Sequence, residues 1–115
     1  MKSALGAALL LASLACAPRT QVRPVKKAPP AQPVYLGERS CMVQDFENAT
    51  DLPDAAKNLG WVEVAQPEGQ SDDDTFIALR RRICEMGGDA LSQAAWVRDM
   101  NDDRPKLKAN AWSLP

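Results

Sequence analysis

The N-terminal part of the sequence limits how much of the chain can build a hydrophobic core. Lys2 is followed by an uncharged run rich in Leu and Ala, residues 4–15, and this run ends at Cys16. One positive charge, a short apolar run and a small residue at its end are typical of a secretory signal peptide, and the run is too short to span a bilayer. We therefore predict that residues 1–15 are a signal peptide and take no part in the folded domain.

Cys16 directly follows the predicted cleavage position. The sequence Ser13-Leu14-Ala15-Cys16 resembles the lipobox of bacterial lipoproteins, in which the cysteine carries lipid, palmitate included, and becomes the new N-terminus. This resemblance implies that Cys16 is a lipidation site that anchors the protein to a membrane. Ala17, rather than an acidic residue, comes next, which by analogy with lipoprotein sorting implies the periplasmic face of the outer membrane. Secretion without lipidation is the alternative.

A proline-rich segment follows the predicted anchor. Residues 17–34 contain five prolines and four basic residues but no acidic residue. This composition favours extended polyproline II, which at ~3.1 Å per residue would hold a domain about 55 Å from the membrane. We predict that residues 16–39 are the lipidated cysteine and a basic linker. Its basic residues are either simply solvated or in contact with anionic lipid or another envelope polyanion.

Residues 40–115 carry the patterns of a folded domain. Short runs of alternating or apolar residues predict four strands: residues 41–46, 61–65, 91–97 and 106–114. Between the first two strands we predict a short helix that begins at Thr50 or Asp51 and ends before Gly60.

One long helix is predicted between the second and third strands. Ser71 is a good N-cap, the following aspartates favour the positive end of the helix dipole, and Gly87 is a good C-terminal stop. The apolar residues at helical spacing are Phe76, Leu79, Ile83 and Met86. The predicted fold class is α+β, a small four-stranded sheet with one main helix on one face, in the order β-β-α-β-β.

The junction between this helix and the third strand resembles a known family. Residues 79–91 read LRRRICEMGGDAL, which is similar to the helix-to-strand junction of small bacterial envelope lipoproteins. These include the Rcs-type envelope-stress sensor lipoproteins and uncharacterised relatives. Residues 52–64 resemble the segment that precedes the helix in the same proteins. The resemblance implies an α+β domain over residues 40–115 that works at the bacterial envelope.

The three cysteines fit an exported protein. If Cys16 carries lipid, Cys41 and Cys84 remain as an even pair in an oxidising compartment. A domain of about 75 residues buries a small core, and closing the loop between these cysteines would stabilise it by about 4 kcal/mol. We predict a Cys41–Cys84 disulfide, with two buried free thiols as the alternative.

Composition argues against several classes of function. The chain contains no histidine, which excludes Ser-His, Cys-His and His-metal chemistry. The aspartates at residues 72–74 and 102–103 are explained as a helix start and a turn, and neither cluster has the ligand spacing of a calcium loop. Acidic residues outnumber basic ones over residues 35–115, which argues against nucleic acid as a partner. We predict no catalytic residue, no metal site and no cofactor.

Arg80 is an unusual residue for its predicted position. It falls between Phe76 and Cys84, within the apolar stripe of the main helix. A charge there must reach solvent or pair with a carboxylate of the sheet, such as Glu63 or Asp45. We predict a structural role for Arg80, with ligand contact as the alternative.

Strand parity predicts a partner-binding surface. If Val62, Leu91 and Leu107 face the helix, then Trp61, Trp96 and Trp112 all point to the opposite side of the sheet. Lys106 and Lys108 would lie around them. Exposed aromatic side chains with a polar rim mark partner sites, but the linker, the short helix or a second copy could equally cover them.

Together these observations predict a non-catalytic outer-membrane lipoprotein whose periplasmic domain binds another envelope component, as a sensor or an accessory subunit. The expected partners are the membrane, through the lipid anchor, and an envelope protein. The alternative is a structural tether, in which the basic linker engages cell wall or lipid. The oligomeric state does not follow from the sequence.

Overall fold

The computed structural model describes residues 20–25, 27–99 and 104–115. The predicted signal peptide and the predicted lipidation site Cys16 lie outside the described residues.

The described chain forms one helix, α1, and seven strands. Their bounds are β1 Thr20–Pro24, β2 Val34–Leu36, β3 Arg39–Cys41, β4 Gln44–Phe46, β5 Lys57–Ala65, α1 Asp72–Glu85, β6 Ala90–Asp99 and β7 Lys106–Ser113. The predicted α+β class with one main helix is therefore confirmed. The finer arrangement differs, because the main sheet has five strands and β2 pairs with β3 in a separate hairpin.

The main sheet is built around β6 and β7. Its strand order is β1-β6-β7-β5, and all three of these pairs are antiparallel. β4 adds to the same edge of β6 as β1 and runs parallel to it, so β4 borders the first half of β6 and β1 borders the second. β5 and β1 are thus the two opposite edges of the sheet.

The helix α1 covers one side of this sheet, here called the helix face. Ser71 caps it as predicted, since its hydroxyl accepts a hydrogen bond from the Asp74 amide at 3.2 Å. Gly87, at φ +83°, ends it. The core of the helix face consists of buried apolar side chains from α1 and the sheet: Phe76, Leu79, Ile83, Cys84, Val62, Leu91, Leu107, Ala109 and Ala111.

Part of the predicted linker belongs to this fold. Residues 20–24 form the edge strand β1, and Val34 is buried against the core at the start of β2. Residues 29 and 30 contact the helix through their carbonyl groups. The structure differs from the expected spacer because this segment also makes backbone contacts, the β1–β6 ladder and the carbonyl bonds to Arg80, and composition does not report backbone pairing.

Two other elements predicted from the sequence differ from those in the structure. The strand predicted over residues 41–46 is divided, since Cys41 ends β3 and Gln44 starts β4. The short helix is only a 3-10 turn at Ala49–Asp51, and β5 begins at Lys57 rather than at residue 61. Pairing with β7 extends β5 backwards through a bulge between Asn58 and Gly60, and Gly60 has φ +104° there.

Candidate functional site

The far face is the side of the main sheet opposite α1. Directly paired residues of neighbouring strands share a face. The register therefore places these residues on the far face: Asn58, Trp61, Glu63, Ala90, Ser92, Ala95, Val97, Lys106, Lys108, Asn110 and Trp112. The prediction that Trp61, Trp112, Lys106 and Lys108 share the side away from the helix agrees with this register.

The placement of Trp96 corrects the parity prediction. Trp96 pairs with Leu107, a residue of the helix-face core, and packs partly buried against that core. The cause is a bulge in β6 between Ser92 and Ala95, where Gln93 has φ +56°. One extra residue in a strand exchanges the faces of all residues that follow it. Ala95 and Val97 are on the far face for the same reason, since they pair with Lys108 and Lys106.

One end of the far face is covered. β4, β5 and β6 all run in the same direction, because β4 is parallel to β6 and both β5 and β6 are antiparallel to β7. Residues 47–56 connect β4 to β5 across β6 and β7. The connection from β5 to β6, which contains α1, runs back across the sheet in the opposite direction. Because connections between parallel strands are right-handed, the two connections take opposite faces, and we infer that residues 47–56 lie over the far face. Leu52 is buried at 8% exposure yet lies outside the helix-face core, and so does Ala90 at 0%.

Trp112 belongs to this covered end. Its indole Nε1 donates a hydrogen bond to Ser92 Oγ at 2.9 Å, and Ser92 is fully buried. Asn110 is 6% exposed beside them, and its buried Oδ1 has no hydrogen-bond partner among the residues that the structure describes. Trp112 thus shields small and polar residues of β6 and β7, so its position is that of a structural side chain.

Trp61 is different, because 55% of its surface is exposed. The ammonium of Lys108 lies 5.0 Å from the centre of its ring, a cation–π contact. Next to them the Lys106 ammonium and the Glu63 carboxylate form an ion pair at 3.5 Å, with both side chains about 40% exposed. Trp61, Glu63, Lys106 and Lys108 are called the Trp61 patch below.

Arg80 is held by three oxygen atoms on the helix face. One amino group donates to the Asp45 carboxylate at 2.5 Å and to the Pro29 carbonyl at 2.6 Å, and the other donates to the Pro30 carbonyl at 3.1 Å. The guanidinium also lies 4.7 Å from the ring centre of Phe76, and the side chain is 2% exposed. Of the alternatives that the sequence left open for Arg80, which were solvent, Glu63 or Asp45, the structure shows the pairing with Asp45.

Residues 29 and 30 are the partners of Arg80 that sequence reasoning missed. A buried arginine needs several acceptors, and prolines, which have no N–H group to pair in a regular helix or in the middle of a sheet, still have carbonyl groups that can accept. The sequence shows only that the guanidinium of Arg80 has more N–H donors than one carboxylate can accept from. It does not identify the other acceptors. Arg80 thus fastens the proline-rich segment to α1.

The disulfide between Cys41 and Cys84 is present, as predicted. Its Cα atoms are 6.0 Å apart, and it joins β3 to the last turn of α1. Together with Arg80 it ties both ends of residues 29–41 to the helix.

The described residues contain no group of three or more Cys, Asp or Glu side chains placed to hold a metal ion. Within the same ranges, no helix has the length and apolar character needed to cross a bilayer. No protein family, curated protein or solved structure shows a significant match to this chain.

Proposed function

We propose that this chain is an outer-membrane lipoprotein, anchored through Cys16, whose periplasmic domain binds an envelope protein through the Trp61 patch. In this role the domain is a sensor or an accessory subunit and not an enzyme. The observation that carries the proposal is the exposure of Trp61 on the far face, beside a lysine whose charge is held over its ring.

The patch has the composition of a small docking surface. A tryptophan that exposes 55% of its surface provides a large apolar area to bury, and tryptophan is the side chain most often found at energetic centres of interfaces. The Glu63–Lys106 ion pair provides a polar rim. The patch lies at the β5 side of an open sheet surface, so a protein surface fits it better than a small molecule does.

Charge gives the expected chemistry of the partner. Within the patch, Glu63 and Lys106 offset each other, which leaves the positive charge of Lys108 next to the indole of Trp61. A partner that places an acidic side chain beside an apolar one would match both groups. We therefore propose an acidic, partly apolar protein surface as the partner.

The alternative of a tether receives less support. It assigns the basic segment before the domain to a free linker, whereas residues 20–24 pair with β6 and residues 29 and 30 bind Arg80. A segment bound in this way has less freedom to reach cell wall or lipid than an extended linker has.

The anchor is tested by Cys16→Ala. Because acyl chains provide the membrane affinity, at ~0.8 kcal/mol per buried CH₂, the variant should leave the membrane fraction and either appear as soluble periplasmic protein or remain uncleaved. Cys41→Ala/Cys84→Ala, which removes the two cysteines outside the predicted anchor, is the matched control and should stay with the membrane. Membrane partitioning of Cys16→Ala equal to that of the unchanged chain would contradict the anchor.

The patch is tested by cross-linking in intact envelopes. Trp61→Ala should reduce the yield of the cross-linked partner about thirtyfold or more, since an interface tryptophan commonly contributes about 2 kcal/mol or more. Lys108→Glu should reduce it as well, because it repels the proposed acidic surface.

Tyr35→Ala is the matched control, since Tyr35 is an aromatic residue 67% exposed on the β2–β3 hairpin. It should leave the yield unchanged. Equal losses for Tyr35→Ala and Trp61→Ala would contradict the patch, and a cross-linked product that carries glycan but no protein would contradict the proposed class of partner.

A further inference from the structure

β1 is attached to the domain almost entirely through its backbone. All five of its residues, Thr20–Pro24, are exposed, and Val22 exposes 62% of its surface. Its register with β6 runs from Thr20 opposite Asp99 to Pro24 opposite Ala95. Because no side chain of β1 is buried, hydrophobic burial contributes little to holding this strand, and ladder hydrogen bonds contribute most.

The surroundings of β1 are loosely packed. A cavity of about 540 Å³ lies between β1 and β4, where its walls include Phe46, Phe76 and Leu91. A second cavity, of about 470 Å³, lies between β1 and the start of α1. Pro24 and Val25 line both cavities. An edge strand with open space on both sides loses few packing contacts when it leaves.

The chain that follows β1 is held independently of it. Arg80 binds the carbonyls of Pro29 and Pro30, Val34 is buried, and the disulfide fastens Cys41 to α1. β1 can therefore separate from β6 while the chain from Pro29 onward stays in place.

Departure of β1 would leave an edge that attracts another strand. Residues 95–99 of β6 would lose the backbone partners that β1 supplies, and unpaired strand edges readily pair with a strand of another chain. Arg23 of β1 lines the second cavity together with Asp72 and Asp73, so a strand with a basic residue at that position suits the site. The strand that meets all these requirements is β1 of a second copy.

We propose that the edge of β6 formed by residues 95–99 is a strand-exchange site, at which two copies of this chain swap their β1 strands and form a two-fold dimer. Each exchanged strand makes the same contacts as in the single chain, so the swap costs little contact free energy. Reciprocal exchange also closes the assembly at two copies. This inference is independent of the Trp61 patch, which lies at the opposite edge of the sheet.

The test uses the paired positions Gln21 and Arg98, whose Cα atoms are register partners. Two single variants, Gln21→Cys and Arg98→Cys, are each made in the exported chain carrying Cys16→Ala. They are mixed, incubated at high concentration and oxidised mildly. Exchange should produce a disulfide-linked pair of one chain of each kind, because only a swapped strand brings the two cysteines together.

Two controls make the result decisive. In the first control, Gln21→Cys is mixed with Lys57→Cys, whose exposed cysteine lies on β5 at the opposite edge of the sheet. Product from this mixture arises from random collision alone, and its yield should be at least tenfold lower than that of Gln21→Cys with Arg98→Cys. The double variant Gln21→Cys/Arg98→Cys, oxidised at low concentration, should close within one chain and then remain a monomer when concentrated. Three results would overturn the proposal: no mixed product while the double variant closes, a mixed yield equal to that of the collision control, or no disulfide at the introduced cysteines in any sample.

Discussion

The two faces of the main sheet differ in how completely their side chains are buried. On the helix face, α1 buries Leu79 and Ile83 against Leu107 completely, and Arg80 and the disulfide add polar and covalent links. On the far face, Trp112 is half-buried over Ser92, while Trp61 is mostly exposed. Two tryptophans on one face therefore differ in exposure, and this difference, rather than residue type, separates the structural tryptophan from the one proposed to bind a partner.

Removal of the disulfide should have the largest effect on the helix face. Cys41→Ala/Cys84→Ala should lower the free energy of unfolding by about 4 kcal/mol, because the bridge closes a loop with a sequence separation of 43 residues. Urea unfolding measures the change. Reduction of the unchanged protein is the control and should give a similar loss. A loss below about 1 kcal/mol would mean that packing alone holds the helix face.

Arg80→Lys should have the next largest effect, about 2 kcal/mol. One ammonium cannot replace the planar fork that reaches Asp45 and the carbonyls of Pro29 and Pro30 together. Urea unfolding gives the free energy, and faster proteolysis within residues 27–36 should accompany it.

Arg81→Lys is the matched control for this substitution. Arg81 is an exposed neighbour whose Nε lies 3.5 Å from the Glu85 carboxylate, and its replacement should change stability by less than about 0.5 kcal/mol. Equal effects at residues 80 and 81 would show that the contacts of the buried arginine contribute nothing specific.

Trp112→Phe should cost about 1 kcal/mol on the far face. The substitution removes the indole N–H that bonds to the buried hydroxyl of Ser92 but keeps an aromatic ring in place. In a double-mutant cycle, Ser92→Ala should destabilise the Trp112→Phe variant less than it destabilises the unchanged protein. Additive effects would mean that the hydrogen bond is not the reason for the loss.

Trp61→Ala should have the smallest effect on stability, within about 0.5 kcal/mol, because its side chain is mostly exposed and its contact with Lys108 is made at the surface. Thermal unfolding of Trp61→Ala beside Trp112→Phe would sharpen the difference between the two tryptophans. A loss of 2 kcal/mol or more would place Trp61 with the structural residues and remove the basis of the proposed binding patch.

Several local features could be read directly from the sequence. Ser71, the aspartates that follow it and Gly87 determine where α1 begins and ends, since capping depends on residues within one turn. The helical spacing of Phe76, Leu79 and Ile83 determines the face that α1 buries. With Cys16 assigned to lipid, the count of the remaining cysteines was enough to predict the pair Cys41–Cys84.

Features that depend on distant parts of the chain were decided only by the tertiary structure. The bulge at Gln93 turns Trp96 to the helix face, and nothing in the residues around it signals an extra residue in the ladder. Residues 20–24 read as linker because pairing with β6 requires no apolar side chain. The partners of Arg80 were likewise open until residues 29 and 30 were brought against α1. The spacing of apolar side chains indicates which face of a single helix or strand is buried. Backbone pairing and strand register depend instead on which helices and strands pack together in the folded chain.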